Sequence, residues 1–138
     1  MGLFNTAEAY RLSAIALDEA QVRTGHAAKP VQFLYSHAIE LYLKALLRTE
    51  CSVEAVEKFR HNIGRLVKEA ETLGLFVTAP DREVFGVMEG TDVLIEMRYI
   101  RTGAKTPLKL KALSRTCKNV RDSVGGLLRK ANVLVRVG

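Results

Sequence analysis

Three polar side chains interrupt the most apolar stretch of this chain. In FLYSHAIELYLKALLR, residues 33–48, His37, Glu40 and Lys44 stand at i, i+3 and i+7, with Ser36 and Arg48 at the margins of the same helical face. An imidazole, a carboxylate and an ammonium so spaced can exchange protons or grip an anion. A bland account also exists: Glu40 and Lys44 are in the favourable order for an i,i+4 ion pair worth about 0.2–0.5 kcal/mol on a solvated face. A second group, Arg60, His61 and Asn62, precedes a predicted helix. Its first-turn amides and the neighbouring Arg60 and His61 suit an anion, and capping or turn packing is the structural alternative. A third group is Arg98 and Tyr99, with Arg101 close by. Forked guanidinium donors and a stacking face suit phosphate and base, while a helix C-terminus and simple packing would use the same residues. No metal site is expected: a single His-x-x-Glu reverses the Glu-x-x-His order of paired carboxylate centres, and it has no second copy.

The rest of residues 33–48 is apolar over an arc much wider than a surface helix needs. That predicts the central helix of a bundle, with its polar stripe facing water, a partner chain or a ligand. Other elements follow from local signals. A first helix is expected from NTAE, capped by Asn5 or Thr6 with Glu8 in its first turn, to about Arg23; its five alanines permit close packing. Gly25 breaks it, and Pro30 suits the first turn of the second helix. Ser52 is expected to cap a short helical turn, and a third helix spans about Asn62 to Leu73 with Gly74 as its stop. A fourth begins at Pro80 and runs to Met97 or Tyr99 despite Gly86 and Gly90. After the turn RTGAKTP, Thr106 and Pro107 open a last helix. Its apolar stripe is Leu110, Leu113, Cys117, Val120, Val124, Leu127, Leu128, Ala131 and Val135, and Gly125 and Gly126 mark a bend, a close contact or fraying. Lys111, Arg115, Lys118, Arg129 and Arg136 form a basic face on another side.

The expected fold is therefore all-α, an up-and-down bundle of four main helices with short extra ones, in a single domain over residues 1–138. That length can bury a core without staples, and 48% hydrophobic with 26% charged residues is ordinary globular composition. No apolar run reaches membrane-spanning length and no leader pattern opens the chain, so a cytoplasmic protein is expected. Cys51 and Cys117 lack metal or redox spacing and read as free thiols, Cys117 in the core. Charge is segregated. Residues 1–97 hold ten basic and fourteen acidic residues, whereas the last forty-one hold eleven basic residues and one acid, Asp122. Such a segment suits a polyanion, though with no aromatic residue after Tyr99 binding would be weakly selective and salt-sensitive. The acidic first part of a dimer partner is the other complement; a membrane surface is a third, but the apolar face of this helix is needed for the core.

Taken in order, SHAIELYLKALLR, FRHNIGRLVKEAETLG, EMRYIRTG and a long final amphipathic helix resemble the HEPN domain, over residues 6–135. The resemblance implies a helical bundle that commonly dimerises and works on or near nucleotides and RNA. Some members are the helical partner of a minimal nucleotidyltransferase in toxin–antitoxin pairs; others are metal-independent ribonucleases marked by an Arg followed, after four to six residues, by a His. Here the chain departs from the family: no arginine stands five to seven positions before His26, His37 or His61. The expectation is a nucleotide- or RNA-associated binding module without a catalytic residue or cofactor of its own. His37, Glu40, Lys44, Arg60, His61, Arg98 and Tyr99 are expected to share its cleft, and Lys111, Arg115, Lys118 and Arg129 to form its basic face. A homodimer is the expected assembly. The rivals are a divergent ribonuclease using His37 or His61, and an interaction module for a nucleotidyltransferase partner.

Overall fold

Residues 31–47 carry so many Leu, Ile, Ala and Tyr side chains that no single neighbour can cover them, and the chain wraps helices round this segment. A computed structural model describes residues 2–20, 28–90 and 110–131. Among them are six helices and no strand: α1 (Gly2–Ala20), α2 (Ala28–Leu47), α3 (Val53–Glu57), α4 (Ile63–Thr72), α5 (Ala79–Gly90) and α6 (Leu110–Ala131). α2 packs against α1, α6 and α4, and α5 packs against α4 and α6. Val31, Tyr35, Ala38, Ile39, Tyr42, Leu43, Leu46 and Leu47 of α2 are buried, so α2 is the central helix.

Local chemistry sets most boundaries. Pro30 sits in the first turn of α2, where its missing N–H costs no intrahelical bond. The end of α2 tightens through Thr49 N–H to the Leu46 carbonyl (3.1 Å) and Glu50 N–H to that of Leu47 (3.0 Å). Ser52 Oγ accepts the Ala55 amide at 3.1 Å and starts α3; Asn62 Oδ1 accepts the Arg65 amide at 3.1 Å and starts α4. In α4 the buried side chains Ile63, Leu66, Val67 and Ala70 fall on one helical stripe. α4 stops in a Schellman motif: Leu75 N–H reaches the Ala70 carbonyl and Gly74 N–H that of Glu71, both at 3.0 Å, with Gly74 at φ 108° and Leu75 buried. Thr78 Oγ1 accepts the Asp81 amide at 3.2 Å at the start of α5.

The start of α1 departs from expectation, and the roles of its alanines and of Gly125 are settled. α1 begins at Gly2, so Asn5 and Thr6 lie inside it and cap nothing, and Glu8 stands beyond the first turn. The reason is tertiary: the Phe4 ring meets Tyr42 edge-on at 5.2 Å and lies over Gly125, which rewards one more turn of helix. Of the five alanines of α1, only Ala7 and Ala14 are buried. α6 runs unbroken through Gly125 and Gly126; Gly125 is buried beside Phe4 and is a close packing contact rather than a bend. Its core stripe holds as Leu113, Cys117, Val120, Val124 and Leu128, with Leu110 and Leu127 half-buried and Ala131 exposed. The expected helix beyond Gly90, the RTGAKTP turn, the start at Thr106 and Pro107, and the roles given to Gly25, Val135 and Arg136 lie outside the described residues. No helix among the described residues is long and apolar enough to cross a membrane.

Candidate functional site

α2 places His37, Glu40 and Lys44 on its polar stripe, and the α3–α4 turn brings His61 to them. Arg60 takes φ 51°, the left-handed region, which costs roughly 1–2 kcal/mol for a side chain with a Cβ. Asn62 then caps α4. Between these two, His61 projects onto α2: its Nδ1 lies 2.9 Å from Glu40 Oε2 and 3.1 Å from Oε1. Lys44 Nζ donates to Glu40 Oε2 at 2.8 Å. The Glu40 and Lys44 side chains are only 10% and 15% exposed, which rules out a freely solvated face, while His61 is 69% exposed. Glu40 therefore has two cationic or donor partners in a sheltered place, and a buried carboxylate needs them. With Nδ1–H held by the carboxylate, neutral His61 presents Nε2 as its acceptor.

His37 stands one turn before Glu40 on α2 and is half-buried. Its ring meets Tyr10 edge-on at 4.6 Å and stacks on Phe33 at 5.6 Å. Burial lowers its pKa below the ordinary histidine value; Glu40 opposes this, and His61 and Lys44 add to it. His37 is thus a neutral imidazole at pH 7, suited to accepting or donating one hydrogen bond rather than to carrying charge. Ser36 Oγ, beside it, is buried without a hydrogen-bond partner among the described residues.

Of the residues singled out in the sequence, Glu40, Lys44 and His61 come together, while His37 packs on Tyr10 and Phe33 one turn earlier on α2. Arg60 is exposed and contributes the turn that delivers His61. Arg98 and Tyr99 lie outside the described residues. Lys111, Arg115, Lys118 and Arg129 are all exposed on α6, with Lys118 Nζ 3.0 Å from Asp122 Oδ2.

Two polar junctions between helices, one half-buried and one buried, were not singled out from the sequence. Glu8 Oε1 accepts the Tyr42 hydroxyl at 2.5 Å and Arg121 Nε at 2.8 Å, tying α1, α2 and α6 together. Burial pushes Glu8 up, but its bonds from Arg121 and Tyr42 outweigh this and leave its pKa lowered; burial and the Glu8 bond raise Tyr42. Asp81, 2% exposed, accepts Thr116 Oγ1 at 2.7 Å and Asn119 Nδ2 at 3.1 Å, locking α5 to α6. The available signal was Thr116 standing on the apolar stripe of α6 between Leu113 and Val120. Cys117 is buried and its thiol is pushed up to about 12 by desolvation; Cys51 is half-buried, and both are free thiols. Among the described residues, no three His, Cys, Asp or Glu side chains are grouped to hold a metal ion.

Comparison with protein-family models, with curated proteins and with solved structures returned no match.

Proposed function

We propose that this chain is a non-catalytic binding module for nucleotides or short RNA, a HEPN-like helical bundle working as a homodimer. The observation that carries the reading is the convergence of Lys44 and His61 on one sheltered carboxylate, Glu40, with His37 one turn earlier on the same face of α2. A sugar-phosphate is the ligand class that matches such a mixed set: its phosphate accepts from Lys44, and its ribose hydroxyls donate to Glu40 and to His61 Nε2. The 2′-hydroxyl gives Glu40 a reason to prefer RNA over DNA. The exposed Lys111, Arg115, Lys118 and Arg129 supply further, salt-sensitive phosphate contacts.

Fluorescence anisotropy of a labelled oligoribonucleotide at low salt tests this, with the deoxy oligomer and mononucleotides as competitors. Lys44→Ala is expected to weaken binding about tenfold or more, as for a lost charge-assisted hydrogen bond, and His61→Ala about tenfold. Absence of saturable binding, or binding indifferent to both substitutions, refutes it.

One observation favours a second reading, a divergent metal-independent ribonuclease. Glu40 orients His61 as a carboxylate orients a general base, leaving Nε2 to take the proton of a 2′-hydroxyl that attacks the adjacent phosphorus as its bond to the 5′-oxygen breaks, and then to return that proton to the departing oxygen. Cleavage of labelled RNA by the purified chain, abolished in His61→Ala, would establish that reading in place of the first.

A further inference from the structure

Beside the Glu40 cluster, a cleft of about 660 Å³ opens between the first turn of α1, the C-terminal half of α2, α3 and the end of α6. That size lies within the roughly 300–1,000 Å³ of small-molecule sites. Its walls are mostly apolar, built from Phe4, Leu41, Val53, Val56 and Leu128. Val53 is 49% exposed there, a large aliphatic side chain left open to the cleft rather than folded into the core. The α2 wall also carries Lys44 and Arg48, one helical turn apart, against the single acid Glu57 of α3. Lys44 is balanced by Glu40. Arg48 instead donates Nη1 to the Cys51 carbonyl at 2.9 Å, a neutral acceptor that leaves the guanidinium charge uncompensated by that bond.

Aliphatic walls with a cationic edge are the complement of a chain molecule that ends in an anion. A nucleobase fits them poorly: the Phe4 ring is already engaged by Tyr42, and the walls offer few polar groups for the edge of a base. We propose that the cleft binds a free, single-chain carboxylate of medium length. The alkyl chain lies along Leu41, Val53, Val56 and Leu128, and the carboxylate takes a forked pair of bonds from Arg48 with Lys44 beside it. This site is separate from the sugar-phosphate reading of the Glu40–His61 cluster and shares only Lys44 with it, so its test varies Arg48 and Thr49 instead.

Isothermal titration calorimetry with decanoate, below the concentration at which it self-associates, reads the site directly. Hexanoate, octanoate, decanol and decyltrimethylammonium complete the series. Saturable binding with one ligand per chain is expected, tightening about fourfold for each added methylene. Arg48→Glu is expected to weaken decanoate at least about tenfold and to turn the preference toward decyltrimethylammonium. Thr49 lines the cleft from an exposed position, so Thr49→Trp fills the space without entering the core and is expected to abolish binding of every member. Far-ultraviolet circular dichroism checks that both variants keep the helical fold. No saturable heat with decanoate, decanol binding as tightly as decanoate, or decanoate binding unchanged in Arg48→Glu and Thr49→Trp each overturns the proposal.

Discussion

Replacing Glu40 by alanine removes the acceptor that Lys44 and His61 share, and the geometry says the two losses are unequal. An exposed ion pair contributes at most about 1 kcal/mol, whereas breaking a fully buried pair costs about 3–5 kcal/mol. Glu40 and Lys44, at 10% and 15% side-chain exposure and 2.8 Å apart, lie toward the buried limit. Lys44 also borders the cleft, where its ammonium can reach water on a flexible stem and recover part of its hydration. The balance is a destabilisation of about 2 kcal/mol for Glu40→Ala. For 138 residues that is a fall in Tm of about 6–10 °C. His61, at 69% exposure, belongs to the solvated limit, so its coupling to Glu40 is expected to stay under about 1 kcal/mol. Two double-mutant cycles measure this, Glu40→Ala with Lys44→Ala and Glu40→Ala with His61→Ala, each by urea unfolding above histidine's titration range. A Glu40–Lys44 coupling of about 1–2 kcal/mol that exceeds the Glu40–His61 coupling is expected. A Glu40–Lys44 coupling indistinguishable from zero, or one smaller than that of His61, refutes the reasoning from burial.

Three further outcomes are expected. His37 has a lowered folded pKa, so the unfolded chain binds its proton first as pH falls: the stability this neutral ring carries is fully present above the ordinary histidine value of about 6.5 and is lost between that value and the folded one. Thermal unfolding should therefore show Tm falling on acidification through pH 6, with a smaller fall in His37→Phe; an equal fall in the variant would place the effect on another group, and not on Glu8, whose lowered pKa acts only at more acidic pH. Thr116→Val deletes the shortest donor to the buried Asp81 while keeping side-chain shape, and chemical denaturation should register a loss of about 1.5–3 kcal/mol; a neutral result would mean Asn119 alone satisfies the carboxylate. Gly126→Ala, which adds a methyl in open space within α6, should stabilise by up to about 1 kcal/mol, whereas Gly74→Ala should destabilise because φ 108° excludes a Cβ and the methyl would meet Leu127 at 3.0 Å; the two shifts in Tm must have opposite signs.

Much of the framework was legible because its signals act over one helical turn. The breadth of the apolar arc in residues 33–48 marked α2 as central, since only a helix covered on several sides keeps so many large side chains dry. Ser52, Asn62 and Gly74 announced their boundaries because capping and left-handed termination are decided by the residue in place. The start of α1 was misplaced because Phe4 extends the helix by packing on Tyr42 and Gly125, contacts that Asn5 and Thr6 do not encode.

The candidate site divides the same way. Spacing along one helix put His37, Glu40 and Lys44 on a common face, and nothing beyond 3.6 residues per turn was required for that. Bringing His61 to Glu40 across twenty-one residues needed Arg60 in a backbone region that its residue type disfavours, a choice made by the docking of α4 on α2. Residue types and periodicity determined which elements form and which faces they bury. The tertiary structure decided which carboxylate meets which donor, because such bonds follow the depth and register of helix packing, and a pair such as Glu8 and Arg121, 113 residues apart, leaves no periodic trace in the chain.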